Sequence, residues 1–283
     1  MTPIILHEEE VAGRNNSFNL HIGAISPVQA LFGTVTHDVT SPGGDIYALF
    51  EAILGRAPDA VGFEYWTAQL QKGASLNSIA QALLGSAEYT AKFGAATQGD
   101  SSFVTWLYQN ALQRHPDTAG LAVWDNALQQ GENRPAIAVE IALSQEALGD
   151  LAPVFQGGVF VPNQGDADVA RLYYAILGRA PNASGLALWE GDHANGDSLA
   201  NISTDFINSA EYAGKFGAPN NAQFVNALYE GAFGRAPDPA GDQYWITALN
   251  QGTSRGTIAT DIAESPEAMS HLAPQIELGL NVS

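Results

Sequence analysis

Four arginines, Arg56, Arg114, Arg179 and Arg235, are each followed 32 residues later by a glutamate: Glu88, Glu146, Glu211 and Glu267. A guanidinium can fork two N–H groups onto a carboxylate, or onto an anionic ligand that takes its place. The spacing therefore admits two chemistries: a repeated anion-binding arginine, or an ion pair tying the start of one helix to the loop before another. We read it as the structural pair. Ten residues after each arginine stands a tryptophan, Trp66, Trp124, Trp189 and Trp245. An indole face suits the C–H groups of a pyranose, but a fixed register inside one helix is what a core requires, and packing is the expected role. Trp106 has no counterpart, since the other copies hold Ala48, Arg171 and Ala227 there. A residue unique to one copy is freer to serve a ligand.

Three residues after each arginine lies Asp59, Asp117, Asn182 or Asp238. Clustered carboxylates suit a hard cation such as calcium, yet Asn182 keeps capping ability and loses the charge, which favours a helix cap. The run Asp192-His193-Ala194-Asn195-Gly196-Asp197 resembles a calcium loop in composition but lacks the D-x-[DN]-x-[DN]-G order. Asp192, Asn195 and Asp197 also offer the carboxylates and amide that hydrogen-bond sugar hydroxyls. With Trp106 they form the ligand-binding candidates, and no metal ligands are assigned. Catalytic signatures are missing: no G-x-S-x-G elbow, H-E-x-x-H, Walker loop or dinucleotide fingerprint occurs. Thirty acidic residues always offer some pair to a glycosidase, so a carbohydrate-active enzyme stays as the rival from another class.

The elements that must position these residues repeat with them. Counting from each arginine, Pro recurs at +2, Gly at +6 and +17, and Ser at +30, four times without a gap. Such a register sets the architecture before any single residue does. Apolar positions ahead of the arginine (Ile46, Leu49, Phe50, Leu54; Val169, Leu172, Tyr173, Leu177) follow helical spacing. Pro stops that helix, the +3 residue caps a second, and the +17 Gly suits a left-handed C-cap. Ile79, Ile137, Ile202 and Ile258 mark a third helix, and the +30 Ser caps a fourth. The fold class is all-α, with four tandem repeats of about four short helices. Copies one and three end alike, as do two and four, giving an A-B-A′-B′ order. The expected domains are an N-terminal arm at 1–44, whose alternating stretch Ser17–Ile22 suits either a short β hairpin or a plain arm, a first repeat pair at 45–155, a Gly/Pro/Asn-rich linker at 156–165, and a second pair at 166–283.

Composition narrows the partners. Eleven Lys plus Arg against 30 Asp plus Glu give a formal charge of −19, which repels nucleic acid and anionic lipid. Such a charge is best tolerated where salt or divalent cations screen it, which points outside the cell. The chain has no cysteine, so it has neither disulfides nor thiolate chemistry. No stretch is suited to spanning a bilayer. The start, Met1 to Glu10, has no basic region and no long apolar run, so export would proceed without an N-terminal signal peptide.

The run Leu54-Gly55-Arg56-Ala57-Pro58-Asp59 through Gly62 and Tyr65-Trp66, with Gly73-Ala74-Ser75 and Ser86-Ala87-Glu88-Tyr89, resembles the bacterial helical repeat called domain of unknown function 4214. The resemblance recurs in all four copies. It implies a place among surface-layer proteins and RTX-type proteins exported by type I secretion, where such helices anchor a lattice to lipopolysaccharide or other cell-surface glycan. It carries no catalytic residues, and the G-G-x-G-x-D nonapeptides of calcium β-rolls are missing here. The expectation is a non-catalytic, secreted or cell-surface protein that binds bacterial polysaccharide, lipopolysaccharide or exopolysaccharide, with the help of calcium. A homo-oligomer is an open alternative, and a cytoplasmic scaffold is the second rival.

Overall fold

A computed structural model describes residues 32–94 and 99–278. The hairpin or arm expected at Ser17–Ile22 lies outside the described residues. The same four-helix order recurs along the chain. Copy one supplies α1 (Pro42–Leu54), α2 (Ala60–Gln71), α3 (Leu76–Leu84) and α4 (Ala87–Phe93). Copy two supplies α5 (Asp100–Ala111), α6 (Thr118–Gln129), α7 (Arg134–Ala142) and α8 (Gln145–Gln156). In copy three, α9 (Gln164–Leu172) runs on into a π-helical turn, Tyr173–Leu177, before α10 (Ala183–Ala194), α11 (Leu199–Asn208) and α12 (Ala210–Phe216). Copy four adds α13 (Asn221–Phe233), α14 (Pro239–Asn250), α15 (Arg255–Ala263) and α16 (Pro266–Leu278). The fold is all-α, with one two-stranded antiparallel sheet among the described residues. Its strands, β1 (Gly33–Thr36) and β2 (Val159–Pro162), pair Gly33 with Pro162 and Thr36 with Val159. No helix among the described residues is long and apolar enough to cross a membrane.

The local signals act at the residues that carry them. Asp117 accepts from the backbone N–H of Gly120, Asn182 from that of Gly185, and Asp238 from those of Ala240 and Gly241. These bonds satisfy donors that a helix start leaves open. Asp59 forms an ion pair with Arg56 at 2.9 Å. Ser86, Ser144, Ser209 and Ser265 each accept from the N–H three residues on, which starts the last helix of each copy. Gly73, Gly131, Gly196 and Gly252 all have φ between 93° and 103°, a region that costs a side chain its Cβ clearance.

The chain forms two compact units. The first holds 47–59 and 76–150, the second 60–75 and 151–278 together with the described residues up to Ile46. Residues of the first repeat pair are thus shared out, because α2 packs on α16, α9 and β2. The stretch expected as a linker, 156–165, supplies β2, which pairs with the strand carried by the arm. In the first unit α3 lies against α7, and in the second α11 lies against α15. There Ser203 and Thr260 share a hydrogen bond of 2.9 Å, and a Cβ on Gly256 would come within 2.3 Å of the Ala200 carbonyl. Ile79, Ile137 and Ile141 fill the first core; Ile202, Phe206, Phe224, Ile258 and Ile262 fill the second. Asp117→Asn and Asn182→Asp should leave the melting temperature nearly unchanged, because both side chains keep an acceptor. Asp117→Ala and Asn182→Ala should each cost about 1 kcal/mol in denaturant unfolding.

Candidate functional site

Each repeated arginine closes a three-way junction. Arg56 donates from Nε to Glu88 Oε1 at 2.6 Å and from Nη2 to Oε2 at 2.8 Å, and Arg114 forks onto Glu146 with the same distances. Arg179 holds Glu211 at 2.5 and 2.7 Å, while Arg235 holds Glu267 through Oε1 alone, at 3.1 and 2.6 Å. In every copy Nη1 also donates to the next carbonyl, that of Ala57, His115, Ala180 or Ala236. The guanidinium lies over the ring six residues back, Phe50, Tyr108, Tyr173 or Tyr229, at 5.0 to 5.5 Å from the centroid. With its nitrogens so engaged, the arginine acts as a clamp. The Arg56 fork, joined by Lys92, holds the Glu88 carboxyl down to about 2. The fork onto Arg114 lowers that of Glu146, and the fork onto Arg179 that of Glu211.

All four tryptophans are half-buried, and in copies two, three and four they belong to the same junction. Trp124 Nε1 donates to Tyr108 Oη at 3.0 Å and Trp245 Nε1 to Tyr229 Oη at 3.1 Å. Glycine at +6 makes room for those hydroxyls: a Cβ on Gly185 would lie 2.4 Å from Tyr173 Oη, and on Gly241 2.5 Å from Tyr229 Oη. Copy one has Phe50 in place of the tyrosine. It lacks that acceptor, and its second helix belongs to the second unit.

Three of the four sequence-nominated ligand side chains, those of Trp106, Asn195 and Asp197, are occupied locally. Trp106 is half-buried; its Nε1 donates to the Ile53 carbonyl at 2.9 Å, and its ring meets Phe93 at 5.5 Å. Asn195 donates to the Gly191 carbonyl at 2.8 Å, and Asp197 accepts from Asn201 Nδ2 at 2.8 Å. The Asp192 carbonyl receives the Asp197 N–H. These bonds shape the turn that ends α10. Among the described residues no group of three or more His, Cys, Asp or Glu is arranged to hold a metal ion.

Sequence reasoning missed a buried charge cluster in the second unit. Arg171, 1 % exposed, donates to both oxygens of Glu64 at 3.0 and 2.9 Å and to Glu264 Oε2 at 2.9 and 2.7 Å. It also contacts Asp168. One cation thus fastens α2, α9 and the end of α15. Burial, then the charge of Glu264, pushes the Asp168 carboxyl up, and burial does the same to Glu264. Nearby, burial and then Glu190 push Asp166 up to about 6. A signal existed: Arg171 occupies the column in which Trp106 was singled out, and Glu64 and Glu264 are likewise confined to single copies.

Short helices stacked in recurring fours, each four clamped by one arginine, define an all-α helical-repeat protein. The profile of a family described as "Domain of unknown function (DUF4214)" matches residues 40–93, 80–151 and 203–272, and the chain belongs to that family. A search of curated proteins finds no match.

Arg171→Met should cost about 3–5 kcal/mol, because it strands buried carboxylates. A carboxyl whose folded value is raised holds its proton more tightly in the fold. Its contribution to stability is present at low pH and lost as pH rises through that value. Melting temperature should therefore rise as pH is lowered from about 8 to about 5, and Asp168→Asn should flatten that slope. Glu88 acts in the opposite sense, losing its contribution as pH falls below about 4.5.

Proposed function

We propose that this chain is a non-catalytic binding and assembly module that holds bacterial polysaccharide at the cell surface or outside the cell, with the Arg179 stretch as a fourth copy of the family repeat. One observation carries the reading. The exposed large apolar residues among those described are Tyr65, Val123, Leu188 and Tyr244, at 49, 61, 57 and 65 % exposure. All four stand at +9, one in each copy, next to the repeated tryptophan. The second helix turns the tryptophan edge inward and the +9 side chain outward, so the clamp that builds each copy also presents an apolar group on it.

In the two outer copies that group is a tyrosine braced edge-on against its tryptophan, with centroids 4.8 Å apart and planes at 79° and 80°. A braced ring has little rotamer freedom left to lose on binding. Its face suits sugar C–H groups and its hydroxyl can exchange hydrogen bonds with a sugar. A polymer that offers the same sugar repeatedly can engage weak contacts together, which raises avidity without any single strong site. The charge of −19 opposes an anionic glycan such as lipopolysaccharide. Calcium would act there by bridging carboxylates on the two partners.

The test is retention on immobilised bacterial lipopolysaccharide and exopolysaccharide, with calcium present or chelated, beside melting curves. Tyr65→Ala and Tyr244→Ala should each weaken binding about fivefold or more while the protein stays folded. Val123→Ala and Leu188→Ala should change it little, and the glycan should be recovered uncut. Undiminished retention in the folded double tyrosine variant would overturn the reading.

A further inference from the structure

The two repeat pairs differ at the face where the first helices of paired copies meet. In the first unit, Trp106 and Asn110 of α5 face the end of α1; Trp106 donates to the Ile53 carbonyl and Asn110 Nδ2 to that of Ala52 at 3.2 Å. Lys92 donates to the Leu54 carbonyl at 2.8 Å, and Phe93 lies beside the indole. The second unit repeats the surroundings and removes the filling. Lys215 and Phe216 stand where Lys92 and Phe93 do, and Lys215 donates to the Leu177 carbonyl at 2.6 Å. Ala227 and Gly231 replace Trp106 and Asn110.

Gly231 lets α13 come against the π-helical turn, since a Cβ there would lie 2.5 Å from the carbonyls of Tyr174 and Ala175. Beside that contact lies a groove of about 1010 Å³, with Ala175 and Gly231 among its lining. Its apolar lining includes Gly178, Phe216, Ala227 and Pro237, and its polar lining includes the carboxylates of Glu230 and Asp242. The one cation of the lining, Lys215, is already tied to a backbone carbonyl.

We propose that this groove binds a small aromatic cation, an arylalkylamine, whose flat ring lies on Phe216 and Ala227 where the other unit seats its own indole, and whose ammonium meets Glu230 and Asp242. The ring assignment comes from the protein's own use of an indole against the matching residues. The charge follows from the balance of the lining, two carboxylates against the one ammonium of Lys215, a net negative charge that favours a cation over an anion. The inference stands apart from the polysaccharide reading, because none of the +9 residues lines the groove.

Three probes sharing one ring separate the contributions: tryptamine, indole and indole-3-acetate, titrated into the full chain by calorimetry and ligand-observed NMR. Tryptamine should bind saturably at about millimolar or tighter, the range of a ligand of its size. Indole should bind about three- to fivefold more weakly, the worth of one exposed ion pair, and indole-3-acetate more weakly still. Ala227→Trp should fill the groove as Trp106 does and abolish tryptamine binding, with Ala227→Leu as the second variant should the first fail to fold. Glu230→Gln with Asp242→Asn should lower tryptamine to the level of indole and leave indole unchanged. Absence of saturable tryptamine binding, or binding that persists in a folded Ala227 variant, overturns the proposal. Equal affinity for all three probes overturns the assignment of a cation.

Discussion

Each copy of the repeat hangs on one guanidinium. The arginine closes the first helix by lying over its ring, holds the turn through the next carbonyl, and reaches the glutamate that opens the fourth helix. Only a planar fork with several fixed donors can meet all three at once, so lysine would not substitute. The glutamate is suited to its end of the contact, since it sits in the first turn of its helix, where the dipole favours an anion. Single exposed ion pairs contribute little. Here the pair fixes where the fourth helix lies, and in copies two to four the tryptophan, tyrosine and +6 glycine pack against the same junction.

That constraint leaves few positions free to vary, and the differences between copies concentrate there. At the first-helix interface, Trp106 and Asn110 fill one unit while Ala227 and Gly231 leave a groove in the other. Phe50 in place of tyrosine removes the acceptor that would hold the second helix of copy one. That helix instead carries Glu64 to Arg171, where Glu264 and Asp168 complete a buried cluster. Breaking such a cluster costs far more than forming it contributes, because a lone buried charge has no solvent to fall back on. The cluster therefore fixes which elements share a core more than it adds to total stability.

Much of this was legible in the sequence because it is local or periodic. The Ser at +30 announces a helix three residues before the N–H it caps, and the +17 glycine announces a φ that only glycine adopts readily. The Arg–Glu spacing, repeated four times, named its own partners. What escaped was aperiodic and long-range. Glu64 and Arg171 are 107 residues apart, and neither repeats, so no register ties them. β1 and β2 are short, and β2 falls in a stretch whose Gly, Pro and Asn content reads as a linker. The exposed +9 position was hidden because it holds two tyrosines, a valine and a leucine, residue types that sequence patterning assigns to a core.

The claim that the repeated arginine is a structural clamp is tested most directly by a double-mutant cycle on Arg56 and Glu88, the most protected of the four pairs. Equilibrium unfolding of Arg56→Ala, Glu88→Ala and the double variant gives the coupling free of each residue's other contacts. The account predicts that both single variants lose stability and that the double variant loses less than their sum by about 0.5–1 kcal/mol. Strict additivity, or an Arg56→Ala variant as stable as the parent, would contradict it.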